Sequence, residues 1–311
     1  MNSFTGFSDL CIPVAPPETL HDIIREAVEL GYKNVAIEQI LDDTKDLPNK
    51  ADVVPEPYCL KKLKASFGGQ IRLLNRLTVI FSETSVSLAL NRSNNIRHYN
   101  LIAALPTNEN SYQYACQTMV CDIVTYNTET IDLRMNRKYH FLAVDRNVAF
   151  ELKYSPAIVS SVERKATITR AHRYHSFGKS RNVIISSAAT SPYELRSPYD
   201  IANLGLIFGL SEEQSKESIR GIPNRILLSA EGRRFGKAGV VIARRERKAE
   251  DSDDYSDSEL EEDISDGDNE EDGEEEEEEL DDVKMDEGEG TEEEEDDAEI
   301  RRPSKKIKTG K

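Results

Sequence analysis

The 311-residue sequence has a formal net charge of −18, but it consists of two parts of opposite charge. From Glu250 to Lys311 there are 32 acidic and 7 basic residues, which leaves 26 acidic and 33 basic residues, a net charge of +7, in residues 1–249. No stretch is apolar over the ~20 residues that a bilayer requires, and the first residues lack the basic and apolar regions of a secretory leader. We therefore expect an intracellular protein with no membrane association.

The cysteines show no close paired spacing of the kind that zinc fingers use. We expect them to be reduced, mostly buried thiols, and we expect no metal or other cofactor. They are Cys11, Cys59, Cys116 and Cys121.

The first forty residues predict a strand, a helix and a second strand. Residues 7–12 and 35–37 are short apolar runs that are typical of buried strands. Between them, residues 19–30 carry a helical apolar stripe, which begins with a capping box between its first residue, a threonine, and Asp22 and ends at Gly31. This order is that of a βαβ unit.

The same alternation continues along the chain. Further apolar runs predict strands at residues 77–81, 101–105, 123–126, 149–154 and 183–186. Helical patterns occupy residues 110–118, 137–147 and 161–177 (closed by Gly178), and capping boxes begin two more helices at Ser197–Pro198–Asp200 and Ser211–Gln214. Strands that are apolar on both faces and alternate with helices predict a parallel sheet covered by helices. About seven or eight such units in ~250 residues favour a TIM-barrel-like α/β barrel over a doubly wound sheet.

Two regions depart from this alternation. Residues 42–70 contain three prolines and a basic patch, and we interpret them as an excursion on the surface. Residues 250–300 are so acidic that they repel each other and have almost nothing to bury, so we predict a disordered acidic tail. Residues 301–311 form a basic cluster that resembles a nuclear localisation signal. The predicted domain is therefore residues 1–249.

The histidines and acids of this domain do not form a recognisable catalytic set. His172 and His175 share a helix face, but no neighbouring acid completes a set of metal ligands. The acids on or beside predicted strands suit either acid–base catalysis or structural hydrogen bonding, and the lack of histidine partners favours the structural role; they are Asp9, Asp122, Asp145 and Glu151. Phosphate-binding, dinucleotide-binding and nucleophile-elbow motifs are also absent. We therefore expect no self-sufficient enzyme.

Basic residues gather in two groups that suit a polyanionic partner. The first lies on the helix at 161–177 and in the turn after it, and comprises Arg164, Lys165, Arg170, Arg173, Lys179 and Arg181. The second comprises Arg225, Arg233, Arg234 and Lys237. Interleaved tyrosines, Tyr174 and Tyr193, suit stacking on unpaired bases alongside phosphate contacts. A solvated helix face explains the charge pattern equally well.

Residues 183–211 read VIISSAATSPYELRSPYDIANLGLIFGLS. This stretch closely resembles the signature region of the 30 kDa barrel subunit family of ribonuclease P and RNase MRP. Other pieces follow in the order of that family: FSDL from Phe7, LGYKNVAI from Leu30, RLTVI from Arg76 and AFELKYSPAI from Ala149. The resemblance covers most of residues 1–240 and none of the acidic tail.

The resemblance implies a barrel related to the polymerase and histidinol phosphatase superfamily of metal-dependent phosphoesterases, but without their chemistry. Active members carry an H-x-H pair on the first strand, where this sequence has Phe7-Ser8-Asp9. It further implies a non-catalytic subunit in the nucleus and nucleolus, in a particle whose RNA removes 5′ leaders from precursor tRNA or, in RNase MRP, processes precursor rRNA. The implied partners are ribonuclease P RNA, MRP RNA, precursor tRNA and other protein subunits, including a small heterodimer partner.

Arg196 matches the family signature and lies between a strand end and a helix start, a place that suits a phosphate. Ser186, Ser187 and Ala188 match as well. The complete set of predicted RNA contacts is Arg170, Arg173, Lys179, Arg181, Arg196, Arg233, Arg234 and Lys237.

The tail carries three serines in the pattern that acid-directed kinases favour, since each is followed three residues later by an acid. They are Ser256, Ser258 and Ser265. Two other functions stay open on sequence grounds. One is a phosphoesterase with an unusual metal site formed by Asp9, Asp145 and Glu151; the other is an acidic-tailed nuclear chaperone.

Overall fold

The computed structural model describes residues 4–43, 52–130 and 133–235. Seven parallel strands form one sheet in which each strand pairs with the next one in chain order. They are β1 (Phe7–Pro13), β2 (Tyr32–Asp42), β3 (Arg72–Phe81), β4 (Leu101–Pro106), β5 (Ile123–Val124), β6 (Ala149–Lys153) and β7 (Val183–Ser186). The sheet curls until β1 and β7 meet, where the Ala188 N–H donates to the Cys11 carbonyl over 2.8 Å. The predicted TIM-barrel-like α/β fold is confirmed.

Helices alternate with these strands, and three follow the last one. Within the described residues they are α1 (Pro17–Glu29), α2 (Lys61–Phe67), α3 (Val86–Arg92), α4 (Glu109–Gln117), α5 (Arg137–Asp145), α6 (Ser155–Val159), α7 (Ser161–Gly178), α8 (Pro198–Ile207), α9 (Glu212–Ile219) and α10 (Gly221–Phe235). Short 3-10 helices occupy Asn95–His98 and Pro192–Glu194. In the part of the chain that the structure covers, no helix is long and apolar enough to span a membrane.

The last helix, α10, lies across the amino ends of the strands. Ile222, Ile226 and Leu227 are buried against apolar side chains that point into the barrel, among them Leu10 and Leu74. Asn224 sits beside the first residues of β1 and β2, with its amide donating to the Gly6 carbonyl. This end of the barrel is therefore filled and closed by apolar packing.

Two helix ends differ from the sequence prediction. The capping box expected between Thr19 and Asp22 is wrong, because α1 begins two residues earlier at Pro17 and has no side-chain cap. Proline has no N–H to satisfy and its φ is already helical, so the first turn needs no capping side chain. Ser197 is the N-cap of α8, as predicted, with Pro198 at the first position, but its side chain makes no capping bond.

The capping box of Ser211 with Gln214 is confirmed at the start of α9. The excursion predicted at residues 42–70 lies only partly on the surface, because it contains α2, which buries Leu63 and Phe67.

Gly178 is expected to close α7 after Phe177, but it is itself the last helical residue. Lys179 takes the left-handed conformation instead, with a φ of +54°. Position 178 has no room for a side chain, because a Cβ would lie 1.8 Å from Nε2 of His140. That imidazole is fully buried and stacks on Phe150 with 4.0 Å between ring centroids. Burial lowers the pKa of His140 to about 4, so the ring is neutral at physiological pH.

Candidate functional site

The middle of the barrel holds a buried network of charged side chains from three strands. The guanidinium of Arg76 in β3 pairs with both carboxylate oxygens of Glu151 in β6, at 2.5 and 2.7 Å, and with Glu38 in β2 at 3.3 Å. Thr125 and Thr78 donate to Glu151 and Glu38, respectively. All five side chains are buried. Parallel neighbouring strands and inward-facing positions bring these residues together although they lie far apart in sequence.

The charges in this network compensate one another. Burial by itself raises the pKa of Glu151, but the charge and hydrogen bonds of Arg76 outweigh burial, and the pKa falls to about 2. The pKa of Glu38 is likewise lowered, against burial, by Lys153 and Arg76. Burial lowers the pKa of Lys153, but the carboxylates of Glu38 and Glu151 outweigh it and raise that pKa above its ordinary value. Two carboxylates therefore face two cations, and both acids stay ionised.

The hydrogen bonds made by Glu38 and Glu151 leave no set of ligands for a metal. Both oxygens of Glu151 bond to Arg76, and those of Glu38 bond to Thr78 and Cys11. Asp145, the third member of the metal site considered above, is exposed at the end of α5 and does not join the acids of the barrel. Among the residues described, no group of three or more His, Cys, Asp or Glu side chains could hold a metal ion. The side chains present do not fit the metal centre of the phosphoesterase superfamily.

Asp9 has a structural role at the junction of the first and last strands. Its Oδ1 accepts hydrogen bonds from the backbone N–H groups of Cys11, at 3.3 Å, and Ser187, at 3.0 Å. Its Oδ2 is buried without a hydrogen-bond partner. Burial raises the pKa of Asp9 to about 6, against the opposing hydrogen bonds of Ser187 and Cys11. The matched family residues Ser186 and Ser187 are buried at the same junction, where they serve packing and closure.

On α7, the two arginines predicted to contact RNA hold the loop before α5. Arg170 is buried, donates to the Thr130 carbonyl and lies over the rings of Tyr126 and Tyr174. Its burial argues against direct RNA contact, and the buried ring of Tyr174 is equally unable to stack on a base. Arg173 is half-buried and donates to the Leu133 carbonyl over 3.0 Å. No sequence pattern indicates that these two arginines point inward, because polar residues occur on every face of α7.

The other predicted contacts lie at or near the surface. Lys179 and Arg181 are exposed in the turn after α7, with the Arg181 guanidinium 5.7 Å from the centroid of Phe141. Arg196 is half-buried and donates to the carbonyl of Tyr193, within the short 3-10 helix before α8, and to that of Leu195, which follows this helix. Tyr193 is 87% exposed. RNA contact by these residues stays a prediction.

Arg233 and Arg234, at the end of α10, lie with two further arginines around the amino end of the barrel. Arg233 pairs with Asp122 at 2.7 Å, and Arg234 donates to the Arg97 carbonyl. Arg234 also lines a surface hollow with Arg72 and Glu231. We call Arg72, Arg97, Arg233 and Arg234 the amino-end arginine cluster; Lys237 and the three tail serines lie outside the described residues. The sequence prediction missed Arg72 and Arg97 because only the fold brings them to α10.

The sequence pattern of the RNase P subunit p30 family matches residues 6–235. The chain belongs to the RNase P subunit p30 family. Ribonuclease P protein subunit p30 of Mus musculus is 33% identical over 253 residues, which cover 79% of this chain and 94% of the mouse protein. Ribonuclease P/MRP protein subunit RPP1 of Saccharomyces cerevisiae is 22% identical over 216 residues, covering 68% and 73% of the two chains.

A solved structure supports the fold of this p30-family chain. A chain in the cryo-EM structure of archaeal ribonuclease P with mature tRNA aligns with a TM-score of 0.57 and 14% identity. The alignment covers 77% of the chain described here and 99% of the archaeal one. The predicted family is confirmed, and the similarity at this level of identity establishes a shared barrel.

Proposed function

We propose that this p30-family chain is a non-catalytic protein subunit of ribonuclease P and RNase MRP. The observation that carries the proposal is the family match over residues 6–235, which spans every strand of the barrel. In this role the chain binds the RNA of the particle and neighbouring protein subunits, while RNA cuts the precursor tRNA or precursor rRNA. The chain acts in the nucleus and nucleolus, and the basic cluster at residues 301–311 serves as its localisation signal.

The interior of the barrel supports a non-catalytic role. Glu38 and Glu151 are bound to Arg76 and to threonine hydroxyls, so neither carboxylate is available to ligate a metal or take a proton from water. A general base needs a free acceptor within hydrogen-bond reach of the reacting group. This arrangement disfavours the phosphoesterase alternative.

The amino-end arginine cluster is a suitable surface for RNA. Arg97 is exposed and Arg234 is half-buried beside it. Burial and the nearby charge of Arg233 lower the pKa of Arg234, so cations are crowded at this end of the barrel. A phosphate placed there relieves this repulsion, and planar guanidinium groups match phosphate oxygens in pairs.

The partner subunits meet the chain elsewhere, on its apolar surface. Val159 and Val162, at the junction of α6 and α7, are 68% and 63% exposed, and Ile158 lies beside them. Exposed apolar side chains that adjoin one another suit a protein interface better than an RNA backbone. We assign the small heterodimer partner to this surface.

The experiment is affinity purification of the tagged full-length chain from its native cells, followed by sequencing of the RNA recovered with it. We expect ribonuclease P RNA and MRP RNA. The variant Arg97→Ala/Arg234→Ala should reduce their recovery severalfold, whereas Lys61→Ala/Lys64→Ala, which removes two exposed charges from α2, should not. Recovery of histones without either RNA contradicts the proposal and supports the chaperone alternative.

A further inference from the structure

A second arginine-rich surface lies between α5 and α7, away from the amino end of the barrel. It surrounds a cavity of about 550 Å³, a volume within the range of small-ligand sites. The lining residues are Arg134, Met135, Asn136, Arg137, Arg173 and Phe177. We call this cavity the α5–α7 groove. Its residues were absent from the sequence-based predictions, except for Arg173.

The loop before α5 forms one wall of the groove, and two arginines of α7 hold it in place. Arg170 donates to the Thr130 carbonyl and contacts the Met135 sulfur, while Arg173 donates to the Leu133 carbonyl. Asn136 then caps α5, since its side chain accepts from the Lys138 N–H over 2.9 Å. These contacts fix the backbone on both sides of Arg134, so the groove is formed before any ligand arrives.

The charges along the rim of the groove are unfavourable without a ligand. Arg137 and Lys138 occupy the first turn of α5, where the helix dipole favours acids. The guanidinium groups of Arg137 and Arg181 both lie over the ring of Phe141, at 5.4 and 5.7 Å. With Arg134 this makes four cations, and none of them forms an ion pair with a residue of the described ranges. Of these four, Arg134 and Arg137 line the groove, so an anion bound there would be stabilised by both.

The rest of the lining selects among anions. Phe177, at the end of α7, offers a ring to the cavity. A smaller hollow that shares Arg134 and Asn136 adds amide and hydroxyl groups from Asn110, Gln113 and Tyr139, together with one acid, Glu109. An aromatic ring beside arginines and amide groups is the combination that recognises an unpaired base and its phosphate.

We propose that the α5–α7 groove binds one unpaired nucleotide of RNA, with its phosphate on Arg134 and Arg137 and its base against Phe177. The inference rests on the proposed function, because it supplies that subunit with a single-strand contact. Arg170 and Arg173 are positioning residues that hold the loop. The competing occupant is an acidic peptide, for which the arginines suffice and the aromatic ring is unnecessary.

The first test measures binding of a short fluorescein-labelled single-stranded RNA of mixed sequence to the full-length protein across a range of salt concentrations. Arg134→Ala/Arg137→Ala should weaken binding about tenfold at low salt and lower the salt slope by about 0.7, which is one phosphate contact on a single strand. Lys61→Ala/Lys64→Ala is the matched control, with the same loss of charge from two exposed positions of α2 that do not line the α5–α7 groove. Circular dichroism verifies that both variants are folded. Equal binding by the two variants overturns the inference.

The second test uses the absence of tryptophan from the sequence. Phe177→Trp places a single tryptophan in the groove, and we expect the RNA to quench its emission by stacking. Ile207→Trp, at the exposed end of α8, is the control and should not respond. Quenching at both positions, or at neither, contradicts the groove as a base site.

The third comparison separates the two occupants and the two proposals. A synthetic peptide of residues 270–280 should compete with the RNA only at much higher concentration; displacement at equal concentration overturns the nucleotide assignment in favour of an acidic peptide. If the native protein recovers ribonuclease P RNA while the groove variants bind RNA normally, the groove inference fails and the proposed function stands. If it recovers neither ribonuclease P RNA nor MRP RNA, the proposed function fails, whatever the groove binds in vitro.

Discussion

Asp9 is a buried acid whose side chain makes the hydrogen bonds that a strand backbone would ordinarily make. Its Oδ1 joins the N–H of Cys11, on its own strand, to that of Ser187, just beyond β7. The ionised form of Asp9 is poorly solvated there, which raises its pKa to about 6. The sequence placed Asp9 correctly on the first strand and favoured a structural role, but it contained no signal for the partner, because Ser187 lies 178 residues away.

The raised pKa makes stability depend on pH. The folded protein binds more protons than the unfolded chain between the ordinary pKa of 3.8 and about 6. The stabilisation by this proton is fully present below the unfolded pKa and is lost as the pH rises through about 6. Asp9→Asn keeps the Oδ1 acceptor without the charge, so we expect it to raise the free energy of unfolding at pH 7.5 by up to about 3 kcal/mol. Urea unfolding at pH 5 and pH 7.5 measures this difference.

The control for that measurement is Asp145→Asn, which changes an exposed acid at the end of α5. It should leave the free energy of unfolding at pH 7.5 nearly unchanged, because the side chain is exposed and lies outside the junction. The opposite outcome is that Asp9→Asn lowers the free energy of unfolding at pH 7.5 by as much as at pH 5. That result would show that the carboxylate charge stabilises the junction.

At the scale of the elements, apolar periodicity predicted the strands and most helices of the barrel. The run at 183–186 coincides with β7, and the pattern at 137–147 overlaps α5. The failures have local causes. At α1, a proline start replaced the expected threonine cap, and at α7 the glycine provided space for an imidazole, which is a tertiary contact that no local pattern contains.

The site was predicted less well than the fold, for a reason visible in α7. Its buried face contains Ala166, Thr167, Arg170, Ala171 and Tyr174, so no apolar stripe marks which side points inward. Charge pattern therefore assigned the inward Arg170 to the surface. The ion network of Glu38, Arg76 and Glu151 was missed because its members lie on three strands that only the closed barrel brings together. Arg134 and Arg137 were missed as well, because only the fold brings them beside Arg173 and Phe177.

The contact between Gly178 and His140 gives a test of packing between α7 and α5. Gly178→Ala places a methyl group into the imidazole ring, which Phe150 holds on its other side. We expect a loss of about 1–3 kcal/mol in the free energy of unfolding. The added change His140→Ala removes the clash, so the double variant should be more stable than the sum of the single effects, by at least about 1 kcal/mol. Urea unfolding of all four proteins gives the coupling energy.

Gly232→Ala is the matched control, because a Cβ at that position of α10 meets no atom within 4 Å. It should be neutral or stabilise by about 0.4–1 kcal/mol, since alanine reduces the freedom of the unfolded chain. Additive effects of Gly178→Ala and His140→Ala would mean that the helix shifts to avoid the imidazole.

At the scale of the whole molecule, the division of charge is the dominant feature. A domain of net charge +7 is covalently joined to a segment with 32 acids. A tethered polyanion faces such a domain at an effective concentration on the order of millimolar, so weak contact suffices to compete with RNA phosphates. A tail that only maintains solubility is the alternative. Phosphorylation of the tail serines would add about −1.5 to −2 charge at each site and strengthen competition.

Deletion of residues 250–300 with retention of residues 301–311 separates these roles, because the terminal basic cluster is kept. If the tail competes, the shortened protein should bind unrelated RNA more tightly at low salt, and the difference should shrink as salt screens the intramolecular contact. The measurement is a binding titration of both proteins at several salt concentrations. Equal affinities throughout would leave the tail with solubility alone.

The junction between β1 and β7 has a consequence for how the chain is made. Because synthesis proceeds from the amino terminus, β1 leaves the ribosome long before either of its long-range partners. Ser187 follows its partner Asp9 by 178 residues. Asn224 of α10, which contacts Ser8, follows Ser8 by 216 residues. The strands of the β1–β2 and β2–β3 pairs are translated early, but the β7 partner of the first strand is absent until nearly the whole barrel has been translated. An open strand edge is a site of aggregation, so β1 is the strand of the barrel that most needs protection while the chain is being made.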